Sequence, residues 1–105
     1  IEPEIEQALV DGDRRPWLAA VIVPSAEARA AAVSDEALKL LIAETVERAN
    51  SRLSQIERVR RFVIADEGFT TENSQLTATL KVRRHVVRAQ YQDRLAALYT
   101  RGKED

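Results

Sequence analysis

The residues best suited to chemistry lie in one polar stretch from Gly68 to Arg84, GFTTENSQLTATLKVRR. This stretch is rich in threonine and delivers Lys81 just before a predicted helix. Loops that a rigid scaffold positions often carry function. A lysine there has a compact ammonium on a long stem, which suits it to phosphate or carboxylate charge that develops in a transition state. Lys81 is therefore the first candidate for a catalytic residue. The alternative is an ordinary solvated charge at a helix start.

Basic residues are concentrated in two short segments around this candidate. The cations are Arg58, Arg60, Arg61, Lys81, Arg83, Arg84 and Arg88. If the first segment is a strand and the second a helix beside it, they could form one basic surface that attracts the phosphates of nucleotides or of nucleic acid. The simpler interpretation is a solvated face that acidic residues balance elsewhere.

Other side chains give weaker signals. His85 is the only histidine, which excludes a histidine pair, and we expect it at the surface. Glu67 and Glu72 flank the polar loop, where lining the loop is a simpler role than acid/base catalysis. We expect Trp17 to pack in or beside the core.

Cysteine is absent, so thiolate zinc sites and cysteine nucleophiles are excluded. Neither GxxxxGK[ST] nor GxGxxG occurs, so any nucleotide must be held mainly elsewhere.

The first element that must support the loop is a predicted β-hairpin between Ile5 and Pro24. Two apolar runs, IEQALV and WLAAVIVP, flank the turn-rich segment DGDRRP. Asp11, Gly12 and Asp13 supply the turn.

Two helices are predicted to follow the hairpin. Ser25 can cap a short helix over Ala26–Val33, and Ser34 or Asp35 can cap a longer one that runs to about Leu53. The longer helix has one apolar face, formed at spacings of three and four by Leu38, Leu41, Ile42, Val46, Ala49 and Leu53.

A strand, a loop and a closing helix complete the predicted order. The β-branched run Val59–Ala65 predicts a strand, and Asp66–Gln75 predicts the loop after it. A final helix follows Lys81, with apolar spacing at Val87, Tyr91, Leu95 and Leu98. The fold class is α+β, a small sheet with an N-terminal hairpin covered by helices.

Composition is consistent with one folded domain over residues 1–105. Hydrophobic residues make up 45%, charged residues 31%, and the formal net charge is −1. The net charge argues against a general nucleic-acid binder. No apolar run approaches the ~20 residues of a membrane helix, and the acidic N-terminus is unlike a signal peptide. The chain opens with Ile1 and has no methionine, which would suit a piece of a longer polypeptide.

Two sequence blocks together resemble the C-terminal domain of long-chain fatty-acid–CoA ligases, in the superfamily of adenylate-forming synthetases. They are IEQALVDGDRRPWLAAVIVP and LSQIERVRRFVIADEGFTTENSQLTATLKVRR. The family patterns are similar to IEQ-A-V-GDGRPYLAALIVP and FT-ENG-LTPTLKLKR. The resemblance extends over nearly the whole chain and puts Lys81 at the position of the family's adenylation lysine.

The chain departs from these patterns at several positions: Asp11 and Gly12 at the start of the turn, Arg14 for a glycine, Ser74-Gln75 for Gly-Leu, Ala78 for proline and Val82-Arg83 for Leu-Lys. Replacement of the glycine by Ser74 and of the proline by Ala78 affects the expected shape of the loop before Lys81 more than the expected role of the lysine.

The resemblance implies a two-step reaction. ATP and a fatty acid give acyl-AMP and pyrophosphate, and the CoA thiol then displaces AMP. Lys81 would stabilise charge in the first step. Arg83, Arg84 and Thr79 are weaker candidates for substrate contacts, and no metal ligand is expected within this domain.

The resemblance further implies a mobile domain that alternates between an adenylation pose and a thioesterification pose. ATP, Mg²⁺ and the acyl chain would bind to a larger N-terminal adenylation domain of the same polypeptide, so the isolated fragment should be inactive. The expected location is the cytoplasm, and the full-length enzyme could also associate peripherally with a membrane.

Two alternatives remain open from the residues alone. A nucleic-acid-binding module would use the basic C-terminal helix, although the net charge and the 5% aromatic content argue against it and no nucleic-acid partner is expected. A stand-alone interaction domain would dock through its helix faces.

Overall fold

The computed structural model describes residues 2–12 and 15–104, with side chains as far as Tyr99. Asp13 and Arg14, which the sequence places in the hairpin turn, lie outside the described residues, as does Ile1. The elements are β1 (Ile5–Asp11), β2 (Leu18–Pro24), α1 (Ala26–Ala31), α2 (Asp35–Asn50), a 3₁₀ turn (Gln55–Glu57), β3 (Val59–Ile64), α3 (Arg84–Gln90) and α4 (Gln92–Glu104).

The sheet has three strands in the order β1-β2-β3. Strands β1 and β2 pair antiparallel, which confirms the predicted hairpin, and β2 and β3 pair parallel. A parallel neighbour requires a crossover connection, and α1 and α2 supply it. In β2, all residues after Leu18 are buried, because the central strand is covered on both faces.

Helices cover both faces of the sheet, so the core has two parts. On one face, α1 and α2 pack on Ala20 and Ile22 through Ala28, Leu38, Ile42 and Val46. On the other face, α3 and α4 pack on β1, β2 and β3 through Val87, Tyr91, Leu95 and Tyr99. The predicted α+β class is therefore confirmed, with alternate β2 residues serving the two cores.

Serine caps begin both crossover helices, as the sequence indicates. The Ser25 hydroxyl accepts a hydrogen bond from the Ala28 N–H, and the Ser34 hydroxyl accepts one from the Ala37 N–H, each at 3.1 Å. The helices end earlier than predicted: α1 stops at Ala31 rather than Val33, and α2 stops at Asn50 rather than Leu53.

The predicted single closing helix is wrong, because it divides at Tyr91 into α3 and α4. Tyr91 has φ −108° and ψ 14°. Its N–H still donates to the Val87 carbonyl at 3.1 Å, so the spacing of the buried residues continues through the break. The Tyr91 hydroxyl accepts a hydrogen bond from the Asp66 N–H at 3.0 Å, which fixes Tyr91 to the segment just after β3. No helix among the described residues is long and apolar enough to cross a membrane.

Candidate functional site

The polar loop is the segment that connects β3 to α3 and carries Lys81. One glutamine of β1 fixes the start of this loop to the sheet. The Gln7 side chain donates to the Phe69 carbonyl at 3.1 Å and accepts from the Phe69 N–H at 2.8 Å. Phe69 itself is buried in the core under α3 and α4. The loop therefore leaves the sheet with Phe69 held by two hydrogen bonds from a side chain to its backbone and by apolar burial.

The Asn73 side chain organises the middle of the loop. Its Oδ1 accepts from the N–H groups of Thr70 and Gln75, both at 3.0 Å. Its Nδ2 donates to the Gly68 carbonyl at 2.9 Å and to the Glu67 carboxylate at 3.0 Å. One asparagine thus satisfies four groups of a segment that has no regular secondary structure.

The end of the loop is a small hairpin that carries Lys81 on its returning arm. Leu76 and Val82 form an antiparallel bridge. The Arg83 N–H donates to the Gln75 carbonyl at 2.8 Å, and the Thr77 N–H donates to the Lys81 carbonyl at 2.8 Å. The loop before Lys81 is therefore ordered by its own hydrogen bonds.

Two non-glycine residues of this loop adopt positive φ: Ser74 at 67° and Leu80 at 64°. Ser74 occupies the position where the family pattern has glycine, and Leu80 directly precedes Lys81. L-residues in this region are disfavoured by contact of Cβ with the backbone. The loop around Lys81 is thus held in a conformation that the neighbouring hydrogen bonds must maintain.

Lys81 is exposed, and among the described residues it has no ion-pair partner. Thr79 is also exposed, and its hydroxyl lies 3.1 Å from the Thr77 hydroxyl. The structure therefore brings Thr79 and Lys81 onto the same hairpin. The Lys81 ammonium makes no ion pair with an acidic group among the described residues.

The two arginine candidates beside Lys81 have other contacts. An Arg83 Nη is 3.4 Å from the Ser74 carbonyl, and an Arg84 Nη donates to the Val10 carbonyl on β1 at 2.8 Å. Arg84 therefore connects the start of α3 to the hairpin of the sheet, while Arg83 remains with the loop.

The basic segments do not form the single surface considered from the sequence. Arg84 contacts β1, and Arg88 lies 3.3 Å from the carboxylate of Asp11 at the end of β1. Arg58 directly precedes β3 and Arg60 is its second residue, on the opposite edge of the sheet. Trp17 and three arginines of that segment help to line a groove of about 630 Å³ there.

Trp17 is a packing residue, as predicted, and lies one residue before β2. Its ring stacks on Tyr99 of α4 with centroids 4.3 Å apart, and the Arg15 guanidinium lies 4.6 Å from the centre of the Tyr99 ring. His85 is exposed at the start of α3, also as predicted. The Glu67 carboxylate accepts from the Asn73 amide at 3.0 Å, whereas the Glu72 carboxylate accepts only from the adjacent Thr71 hydroxyl, at 2.7 Å, among the described residues.

Sequence reasoning did not single out Gln7, Asn73 or Thr77, although they determine the shape of the loop. The available signal for Thr77 was local: a threonine four residues before the candidate lysine can bond its own neighbouring backbone. Gln7 gave no such signal, because its partner is far away along the chain. The described residues contain no cluster of three or more histidine or carboxylate side chains able to hold a metal ion.

Comparison with known proteins matches residues 1–103 to the model of the AMP-binding enzyme C-terminal domain. The long-chain-fatty-acid–CoA ligase FadD15 of Mycobacterium tuberculosis is 35% identical over 94% of this chain and 19% of its own length. The long-chain-fatty-acid–[acyl-carrier-protein] ligase AEE15 of Arabidopsis thaliana is 34% identical over 91% of this chain and 13% of its own length. The chain thus spans less than a fifth of these relatives.

Solved structures give the same result. The A-PCP didomain of the carboxylic acid reductase of Segniliparus rugosus, in complex with AMP, superposes with a TM-score of 0.84 at 35% identity, over 97% of this chain and 15% of that one. The adenylation domain of the carboxylate reductase of Mycobacterium chelonae superposes with a TM-score of 0.82 at 34% identity, over 93% of this chain and 16% of that one. The chain belongs to the family of AMP-binding enzyme C-terminal domains.

Proposed function

We propose that this chain is the lysine-bearing C-terminal domain of an AMP-forming enzyme that activates a fatty acid. In this proposal Lys81 enters the active site during adenylation and stabilises charge on the attacking carboxylate and the α-phosphate. The observation that carries the proposal is the hairpin from Gln75 to Arg83, which holds the Lys81 backbone in place and leaves its ammonium exposed. A preorganised cation of this kind acts where transition-state charge develops.

The larger part of the site is proposed to lie in the remainder of the polypeptide. The chain covers 19% of its fatty-acid–CoA ligase relative, and its described residues contain no metal-binding cluster. We therefore assign ATP, Mg²⁺ and the acyl chain to an N-terminal adenylation domain. The isolated chain should have no ligase activity.

The acceptor in the second step is proposed to be the CoA thiol. The two sequence blocks resemble fatty-acid–CoA ligases, and one relative has that activity in its name. Other relatives are an acyl-carrier-protein ligase and a carboxylic acid reductase, so activation of a carboxylic acid is the part of the proposal on which all of these names agree.

The test separates the two half-reactions in the full polypeptide that carries this domain. Pyrophosphate release reports adenylation, and formation of acyl-CoA from preformed acyl-adenylate reports thioester formation. Lys81→Ala should slow the first by about 10²–10³-fold, the loss typical of removing one preorganised stabilising group, and largely preserve the second.

Lys39→Ala is the matched control, because Lys39 is an exposed lysine on α2. It should leave both half-reactions unchanged. If Lys81→Ala behaved like Lys39→Ala, Lys81 would be a surface charge and its catalytic assignment would be withdrawn. If the polypeptide released pyrophosphate but formed no thioester with CoA, the acceptor would be wrong and the adenylation proposal would stand.

A further inference from the structure

The hairpin that carries Lys81 has a specific hydrogen-bond pattern. The Leu80 N–H donates to the Thr77 carbonyl at 2.8 Å, which closes a four-residue turn, and the Thr77 N–H donates to the Lys81 carbonyl at 2.8 Å. Leu80, the last residue of the turn, has φ 64°. A turn followed by one left-handed residue is a common way to build a three-residue hairpin loop, and that residue is usually glycine.

Leucine at the left-handed position makes this loop costly to hold. Leu80 is 70% exposed, so burial does not compensate for the backbone conformation. Strained residues persist when surrounding contacts over-determine them, and they cluster at functional sites. The hydrogen bond made by the residue after Leu80 therefore indicates what maintains this conformation.

That contact is the Thr77 hydroxyl, which accepts a hydrogen bond from the Lys81 N–H at 3.1 Å. Thr77 thus binds both backbone groups of Lys81: the N–H through its side chain and the carbonyl through its own N–H. The Lys81 backbone is fixed on both sides by one residue, while its side chain remains exposed.

We infer that Thr77 is a positioning residue for the adenylation step, acting through the Lys81 backbone. The inference rests on the proposed function of Lys81. A lysine side chain has a flexible four-carbon stem, so the position of its Cα and the direction of its Cα–Cβ bond set the volume that the ammonium can reach. Misplacement of a reacting group by about 1 Å can cost on the order of 10²-fold in rate, so a fixed Cα contributes directly to adenylation.

Thr77→Val and Thr77→Ser test the inference in the full polypeptide. Valine retains the branched shape and removes the acceptor, whereas serine retains the hydroxyl. Thr77→Val should lower kcat for pyrophosphate release about 10-fold, with little change in KM for ATP or the acid, and should preserve thioester formation from preformed acyl-adenylate. Thr77→Ser should restore most of the lost rate.

The control is Thr71→Val, in the same loop, where the exposed hydroxyl bonds the adjacent Glu72 side chain and no other described residue. It should leave adenylation unchanged. A purely structural role for Thr77 would slow both half-reactions together, or would change kcat and KM to a similar extent. Either result overturns the inference.

The proposed function and this inference fail in different ways. If Lys81→Ala abolishes adenylation while Thr77→Val has the wild-type rate, the inference is wrong and the role of Lys81 stands. If Lys81→Ala has the wild-type rate, both are wrong. If Thr77→Val lowers the protein yield, Thr77→Ser and Thr77→Ala are compared instead. A wild-type adenylation rate for the serine variant with a 10-fold loss for the alanine variant supports a role of the Thr77 hydroxyl. Equal rates for the two variants refute that role.

Discussion

The side-chain amide of Asn50 pairs with both backbone groups of Val59. Its Nδ2 donates to the Val59 carbonyl at 2.8 Å, and its Oδ1 accepts from the Val59 N–H at 3.0 Å. Asn50 is the last residue of α2 and Val59 is the first of β3, so a side chain takes the place of a neighbouring strand at the start of β3. The connection between them is held at its two ends by this pair of bonds.

Asn50→Ala should therefore destabilise the chain. Asn50 is 7% exposed, and its loss leaves the Val59 N–H and carbonyl without partners in a partly buried place. The expected loss is about 2 kcal/mol, because each unsatisfied buried group costs roughly 1–3 kcal/mol. Thermal unfolding of the 105-residue chain should show a clearly lower Tm. Ser51→Ala removes one exposed hydrogen bond beside it and should change Tm little. Equal shifts for the two variants would contradict the prediction.

Gln75→Leu should stabilise the chain. Gln75 is 3% exposed, and its Oε1 is buried without a hydrogen-bond partner. Removing an unsatisfied buried carbonyl should raise the free energy of unfolding by about 1 kcal/mol. Denaturant unfolding measures this, with Gln75→Glu as the destabilising counterpart. A less stable leucine variant would show that the amide is satisfied, for example by a bound water.

Ala78→Pro should stabilise the hairpin that carries Lys81. Ala78 is the second residue of the turn from Thr77 to Leu80, the position at which a fixed φ near −65° suits proline. The family pattern also has proline here. The expected gain is roughly 0.4–1 kcal/mol, because proline restricts the unfolded chain. Thr79→Pro is the matched control: at the third position of the turn it should destabilise. A higher Tm for Thr79→Pro than for Ala78→Pro would show that the turn has a different backbone geometry.

The hairpin, the helix caps and the third strand were predictable because each depends on local pattern. Apolar runs flank the turn from Asp11, and Ser25 and Ser34 precede helical sequence. The parallel pairing of β3 with β2 was not predictable, since a short apolar strand contains no signal for its partner or direction. The break at Tyr91 was missed for a related reason: the apolar spacing continues across it, and only the tertiary bond from the Asp66 N–H to the Tyr91 hydroxyl marks the position.

Lys81 was identifiable as a candidate because a threonine-rich loop and a resemblance agree on it. The distribution of the arginines was not, because charge in the sequence does not show which edge of the sheet a segment occupies. Arg84 and Arg88 contact β1, whereas Arg60 is the second residue of β3, on the other edge of the sheet. The residues that shape the loop were missed for the same physical reason: the bonds of Gln7 to Phe69 join positions 62 residues apart.

The ion pairs of the N-terminal segment should contribute to the loss of stability in acid. Arg48 donates to Glu4 at 2.9 Å and to Glu2 at 3.2 Å. The hydrogen bond from Arg48 holds the pKa of Glu4 below its usual value. A lowered pKa means that the folded chain favours the charged form, so this contribution is present above the ordinary glutamate pKa of about 4.3 and is lost as the pH falls through the folded pKa.

Arg48→Met should consequently flatten the fall in stability below about pH 4.3. Urea unfolding at a series of pH values from neutral to acid measures the slope. Lys39→Met removes another exposed cation of α2, one for which no ion pair is seen among the described residues, and should leave the acid slope as it is. Parallel curves for wild type and Arg48→Met would refute the prediction.

Tyr99 should contribute to the loss of stability at alkaline pH. Burial raises the pKa of its hydroxyl above the ordinary value, and the nearby Asp11 carboxylate acts in the same direction. The hydroxyl donates to the Trp17 carbonyl at 3.0 Å and lies 3.3 Å from the Asp11 carbonyl. A raised pKa means that the folded chain favours the neutral form. Its contribution is therefore complete below the ordinary tyrosine pKa of about 10 and is lost as the pH rises through the folded pKa.

Tyr99→Phe should have two separable effects. At neutral pH it should lower the free energy of unfolding by about 1 kcal/mol, because the Trp17 carbonyl loses its donor. Above about pH 10 the variant should lose less stability than wild type, because the titrating group is gone. Tyr91→Phe removes a different buried hydroxyl, the acceptor for the Asp66 N–H, and should retain the alkaline loss caused by Tyr99. Denaturant unfolding between neutral pH and about pH 11 distinguishes the variants, and a Tyr99→Phe curve parallel to wild type throughout would show that the Tyr99 hydroxyl does not govern the alkaline limb.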